Sequence, residues 1–173
     1  MLSWGQLERR PELAQAGKGL LYQFGVGLAF LSTTRRDGGP RVHPMCPIIV
    51  DDLLVALIVP GPKLHDLIRD GRYAMHSFPA EQNEDAFYIT GKANELHEPD
   101  LRRRVEEQFI YERSMSEHPL GIHRHRLFRF TSNCAFTPSQ PDTGTLSLST
   151  PFSEAATRAR HEHHYGHSSA PQE

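Results

Sequence analysis

Lys63, Arg41 and His43 are the side chains whose types and places most readily allow chemistry. Lys63 follows Pro62 at the start of a short helical stretch, where free N–H groups and the helix dipole favour an anion such as phosphate. Without an anion nearby that is a poor place for a cation, and the plain reading is a solvated lysine. Arg41 directly follows a hairpin turn, and its guanidinium can grip a phosphate through two nitrogens or simply stand exposed beside the turn. His43 carries a proton that titrates near neutrality, which suits hydrogen bonding or proton transfer, although a lone strand histidine is more often structural. His123 and His125, two apart on an expected strand, make a conceivable metal pair with no third ligand in view. The run His161-Glu162-His163-His164-Tyr165-Gly166-His167 is metal-prone by composition only, so no specific metal site is expected. Arg102, Arg103 and Arg104 with Glu106 and Glu107 read as a solvated helix face paired four residues apart.

The elements that must hold these groups follow from periodicity and turn chemistry. Residues 1–24 read as helical: Ser3 can cap a first turn, and Pro11 suits the first position of a second helix. Leu13, Ala16, Leu20, Leu21 and Phe24 then recur at helical spacing. Val26 to Thr34 is a strand, the segment 35–40 a turn with Asp37-Gly38 at its centre, and Arg41 to Val50 the return strand. Pro44 and Pro47 interrupt that return strand, so it is expected to bulge or to run along an edge. Leu53 to Val59 is almost continuously apolar, the mark of burial on both faces. Lys63 to Asp70 is a short helix with Leu64, Leu67 and Ile68 on one face, ended by Gly71. Strands are expected over 72–78, 86–96 and 125–136, with a polar loop over 79–85 and a helix over 99–113. This pattern gives a mainly β (α+β) fold, a six-stranded antiparallel barrel or sheet with short flanking helices.

Composition limits the partners. The 173-residue chain suffices for one domain, expected over 1–137, followed by a Ser-, Pro- and His-rich tail over 138–173 that reads as flexible. A formal charge of −2 gives no general attraction for nucleic acid or an anionic membrane. The two cysteines, Cys46 and Cys134, lack a C-x-x-C spacing and read as reduced, buried, inert thiols. With no basic-then-apolar leader and no apolar run long enough to span a bilayer, a cytoplasmic protein is the expectation.

The order of several motifs carries more information than any one of them. Asp37-Gly38-Gly39-Pro40-Arg41-Val42-His43-Pro44 is followed by a third strand and by Pro62-Lys63 opening a helix. Then come Asp66-Leu67-Ile68-Arg69-Asp70-Gly71-Arg72-Tyr73-Ala74-Met75-His76-Ser77 and Phe87-Tyr88-Ile89-Thr90-Gly91-Lys92-Ala93. Over residues 4–136 this order resembles the pyridoxamine 5′-phosphate oxidase-like family. The resemblance implies a split β-barrel working as a homodimer, with flavin mononucleotide (FMN) in grooves at the subunit interface; some relatives bind a deazaflavin coenzyme or haem instead. Carried onto this sequence, it implies that Arg41, Val42, His43, Pro44 and Met45 line the cofactor groove. Val59 and Pro60 would wall the ring, and Lys63 would hold the phosphate. Relatives often have a hydroxyl residue where this chain has Gly61. The implied activity is a flavin-dependent oxidoreductase acting on a small molecule, or else a deazaflavin-dependent reductase or a non-catalytic flavin- or haem-binding protein. True pyridoxamine phosphate oxidase activity is not expected, because the C-terminal region lacks the tryptophan that such enzymes carry there.

Overall fold

The structure, a computed structural model, describes residues 2–79 and 85–136, with side chains through Asn133. The tail, its histidine cluster, most of the 79–85 loop and the Cys134 thiol lie outside the described residues. Helix α1 (Trp4–Leu7) starts at the expected Ser3, whose hydroxyl accepts from the Gln6 N–H at 3.2 Å while the Gln6 side chain accepts from the Ser3 N–H at 2.9 Å. That reciprocal cap satisfies two donors which the first helical turn would otherwise leave open. Helix α2 (Pro11–Leu21) opens on Pro11, and its Leu13, Ala14 and Leu21 are buried.

Seven strands follow: β1 (Ala29–Thr34), β2 (Pro40–Met45), β3 (Ile48–Val50), β4 (Leu53–Ile58), β5 (Arg72–Ser77), β6 (Tyr88–Glu95) and β7 (Arg126–Phe136). Helix α3 (Pro62–Arg69) joins β4 to β5, and α4 (Pro99–Glu112) lies between β6 and β7. All pairings are antiparallel, in the order β2-β1-β5-β6-β7-β4-β3. The strand count exceeds the sequence expectation by one because the return strand over 41–50 divides at Cys46-Pro47. Its first half pairs with β1 and its second half with β4.

That division dictates the shape. β2 and β3 lie at opposite ends of the sheet order, yet only two residues separate them in the chain. Three Cα steps span at most ~11 Å, so the sheet must curl until its two edges stand side by side. The result is a mainly β split barrel whose seam is the unpaired gap between β2 and β3.

Contacts across the seam replace the missing ladder. Gly27 runs so close to the chain linking β2 and β3 that a Cβ on it would stand 1.9 Å from the Pro47 carbonyl oxygen. The Tyr22 hydroxyl accepts from the Ile49 N–H at 2.9 Å and donates to Glu112 Oε1 at 3.1 Å. Gln108 also donates to that carboxylate, and Arg113 donates to the Gly27 carbonyl while lying over the Phe109 ring. The end of α4 is thereby clamped over the seam.

Alternate residues of the strands fill the barrel: Ala29 and Leu31 from β1, Leu54, Ala56 and Ile58 from β4, Tyr73 and Met75 from β5, Ile89 and Ala93 from β6, and Phe128 and Phe130 from β7. Trp4, Leu7, Leu64 and Leu67 complete this cluster. On the other face of β4, Val55 joins Ile48, Leu127, Leu101 and Val105 beneath α4. The unbroken apolar run of β4 is thus buried on both sides, as its pattern required. Among the described residues no helix is long and apolar enough to cross a membrane.

Candidate functional site

The hairpin between β1 and β2 forms as its residues dictate. Gly38 takes φ +83°, Asp37 Oδ1 accepts from the Gly39 N–H at 3.0 Å, and the Arg35 N–H donates to the Gly39 carbonyl at 2.8 Å. The turn fixes β2 in register, with Arg41 opposite Thr33 and His43 opposite Leu31. Side chains alternate from there: Arg41, His43 and Met45 turn toward the barrel interior, while Val42 and Pro44 are exposed on the outer face. Met45 is a core residue, so only its backbone is free to line a groove.

β2 is an edge strand, and Pro40 and Pro44 suit it to that place because their missing N–H groups lie where no partner strand runs. The Pro44 carbonyl points away from β1 and accepts from Lys63 Nζ at 3.2 Å. Alternation puts the Val42 N–H and C=O on the same open edge. Lys63 reaches that edge from the first turn of α3, immediately after Gly61 at φ +154° and ψ −169°. That conformation is accessible to glycine, and nothing stands within 4 Å of the place its Cβ would take. Gly61 therefore leaves open room beside the helix N-terminus. Val59 and Pro60, just upstream, are both exposed.

Asp66, which the sequence does not single out, is the organising group of this corner. The buried arc of α3 is Asp66, Leu67 and Leu64; Ile68, expected inside, lies one step past the arc and is exposed. Asp66 Oδ2 accepts from Thr33 Oγ1 at 3.0 Å and from Arg41 Nε at 2.8 Å, and Oδ1 accepts from Arg69 Nη1 at 3.1 Å. Arg69 also donates to the Thr34 carbonyl. Burial pulls the Asp66 carboxyl upward, but the hydrogen bonds from Arg41, Thr33 and Arg69 outweigh it and hold the group below the usual carboxylate range.

The other groups of the corner sense one another. Burial, with the neighbouring Lys63 and Arg41 cations, lowers the His43 pKa, and Asp66 offsets part of that shift. Its Nε2 is buried and has no hydrogen-bond partner among the described residues. Burial also lowers the Lys63 pKa, and among the described residues this lysine has no carboxylate partner. Cys46, just past the end of β2, is a half-buried free thiol rather than the buried one expected. The corner combines two cations with spare donor capacity, a neutral imidazole with an unsatisfied nitrogen, and an open strand edge. Cations of this kind can receive an anion, and an open strand edge can exchange hydrogen bonds with a ligand's polar atoms.

The remaining candidates fall elsewhere. His123 lies in a short 3-10 turn (Ile122–Arg124) and His125 just after it, so the two do not share a strand face, because β7 begins only at Arg126. Arg102 and Arg103 pair with Glu106 and Glu107 at 2.8 and 3.2 Å, as their spacing predicts. Arg102 also donates to the carbonyls of Ile122 and His125 at 2.8 and 2.7 Å, which makes it a staple rather than a solvated charge. Ser77 is buried and accepts from the Phe87 N–H, while His76 is exposed on the outer face. Both are ordinary sheet positions.

This architecture defines the class: a split-barrel protein with a cationic corner at the open edge of its sheet. Solved structures share the fold. A haem-binding protein from Mycobacterium smegmatis is similar to 76% of this chain and 56% of its own length, at 10% identity and a TM-score of 0.60. A NimC/NimA family protein from Clostridium acetobutylicum is similar over 79% of this chain and 94% of its own, at 17% identity and a TM-score of 0.58. An F420 reductase matches 62% of this chain and 87% of its own, at 16% identity and a TM-score of 0.53. At these identities the likeness is one of fold. No family model and no curated protein matches the sequence.

Proposed function

We propose that the protein binds FMN along the open edge of β2 and serves as a flavin-dependent oxidoreductase acting on a small organic molecule. The observation that carries this reading is Lys63: a partly desolvated cation at the first turn of α3 that has no carboxylate partner among the described residues and whose charge acts on His43. Lys63 and Arg41 would hold the phosphate, and the room left by Gly61 would admit it to the helix N-terminus. The Val42 N–H and C=O would meet the polar edge of the ring, with Pro44, Val59 and Pro60 as its wall. His43 Nε2 would hydrogen-bond the ligand, its protonation opposed first by burial and then by the two nearby cations. A bound flavin supplies hydride or electron transfer at its N5. Deazaflavin and haem are the competing ligands, named for an F420 reductase and a haem-binding protein of the same fold. The modest cation supply at this corner favours the single phosphate of FMN over a longer acidic tail.

The visible spectrum of the purified protein separates these ligands, and a colourless protein that also fails to take up added FMN would overturn the reading. Lys63→Ala is expected to weaken FMN by about ten- to a hundredfold, the worth of a charge-assisted hydrogen bond, with little change for riboflavin. Equal loss for both flavins would refute the phosphate role.

A second copy of the chain would complete the groove. One cross-strand row on the outer face runs Pro44, Phe30, His76, Tyr88, and Phe30 stacks on Phe78 with ring centroids 4.3 Å apart. Phe24, Phe30, Val42 and Tyr88 all remain exposed on the single chain. Such a patch supports a homodimer packed through this face. Light scattering of the flavin-loaded protein is expected to give twice the chain mass, and a loaded monomer would rule the second copy out.

A further inference from the structure

Resting on the phosphate site just proposed, we infer that Asp66 is the positioning residue that aims the terminal nitrogens of Arg41 at the phosphate group of the ligand. Two arginine–aspartate pairs in this chain show the difference between a closed pair and an aimed one. Arg72 spends its fork on Asp70, donating from Nε at 2.6 Å and from Nη2 at 2.8 Å. Arg41 gives Asp66 only its Nε, at 2.8 Å. Its Nη1 and Nη2 have no hydrogen-bond partner among the described residues, and its side chain is 31% exposed. Those two nitrogens form the outward side of the fork, which can grip two phosphate oxygens at once.

Asp66 is suited to hold rather than to bind. Its side chain is only 5% exposed, and its two oxygens already accept from Thr33, Arg41 and Arg69. It stands on the interior side of Arg41, fixed to β1 through Thr33 and to α3 through its own backbone, so the guanidinium plane is set by two elements of the barrel. Lys63 meets the same corner from the helix start, at the Pro44 carbonyl. His43 lies within the field of both cations. A lysine at position 41 could not do this, since an ammonium has no rigid fork and a bond to Asp66 would not orient its remaining donors.

The test compares FMN with riboflavin, which differ by the phosphate alone, using flavin fluorescence on the full-length protein. Asp66→Asn is expected to reduce the preference for FMN over riboflavin by about tenfold and to leave riboflavin affinity unchanged. In an Arg41→Met background the same substitution should have no effect on the preference. Thr33→Val, which removes a different bond to the same carboxylate, should preserve it. Equal losses of FMN and riboflavin in Asp66→Asn, or the same loss without Arg41, would overturn the inference and leave the flavin reading standing. A wild-type protein that binds both flavins equally removes the phosphate site and this inference together, and one that takes up neither removes the flavin reading as well. Should Asp66→Asn fail to fold, Arg41→Lys reads the same point. It is expected to keep the thermal midpoint and lose the preference, and a retained preference overturns the role given to Asp66.

Discussion

Gly27→Ala is expected to cost about 3 kcal/mol of stability, the upper range for forcing atoms into a packed interior. For a chain of this size that corresponds to roughly a 10 °C fall in the unfolding midpoint. The methyl group would stand 1.9 Å from the Pro47 carbonyl oxygen, and both partners are backbone, so no side chain can swing away to make room. The link between β2 and β3 would have to shift. With it would go the bond from the Ile49 N–H to Tyr22 and the bond from Arg113 to the Gly27 carbonyl. Gly19→Ala is the control, because nothing stands within 4 Å of that position in α2. There alanine should raise stability by about 0.5–1 kcal/mol, the ordinary helix preference. Thermal unfolding followed by circular dichroism reads both variants. Similar midpoints for the two would mean that the seam is not held by this contact.

Asp66→Ala is expected to cost about 3 kcal/mol at neutral pH, the scale for removing one partner of a buried ion pair. The substitution strands Arg41 Nε, Arg69 Nη1 and Thr33 Oγ1 in a corner that is closed on the inside. The cost should depend on pH with a definite sign. The folded Asp66 carboxyl is held below the usual range, so on acidification the unfolded chain takes up the proton first. Its contribution is therefore complete above the ordinary carboxylate value of about 4 and is lost as the pH falls through the depressed folded value. Urea unfolding of wild type and variant at neutral pH and near pH 3 should show the gap between them closing. A gap that stays constant would mean that the charge of Asp66 is not what stabilises the corner.

Local chemistry was legible wherever one residue type forces one geometry. Ser3 and Pro11 mark the two N-terminal helices, Asp37-Gly38 marks the hairpin, and the continuous apolar run of β4 announces burial on two sides. The prolines of the return strand signalled an edge, but not that the chain would pass from one end of the sheet to the other between Met45 and Ile48. That crossing is set by the pairing of β3 with β4 and of β4 with β7, which are long-range contacts with no local signature. Lys63 could be proposed because a helix start is visible in the sequence. Asp66 could not, since a carboxylate among Leu64, Leu67 and Ile68 reads as a solvated flank. Its partners Thr33 and Arg41 come from a hairpin far upstream. The His123–His125 pair failed for a local reason: Gly121, at φ +78°, opens a 3-10 turn that holds His123, and β7 begins only at Arg126.

The seam also bears on how the protein resists growth by strand addition. An unpaired strand is a template, and a free ladder of N–H and C=O groups invites the edge of another molecule to add to it and grow a fibre. On the free side of β2 the positions that would have to donate are 40, 42 and 44, and two of them are prolines. A neighbouring strand would find a single N–H to accept, while Lys63 already occupies the Pro44 carbonyl and sets a charge against its approach. An edge so defended refuses a polypeptide but can still admit a compact ligand that needs only one donor and one acceptor. The two prolines would thus let one strand serve both recognition and solubility.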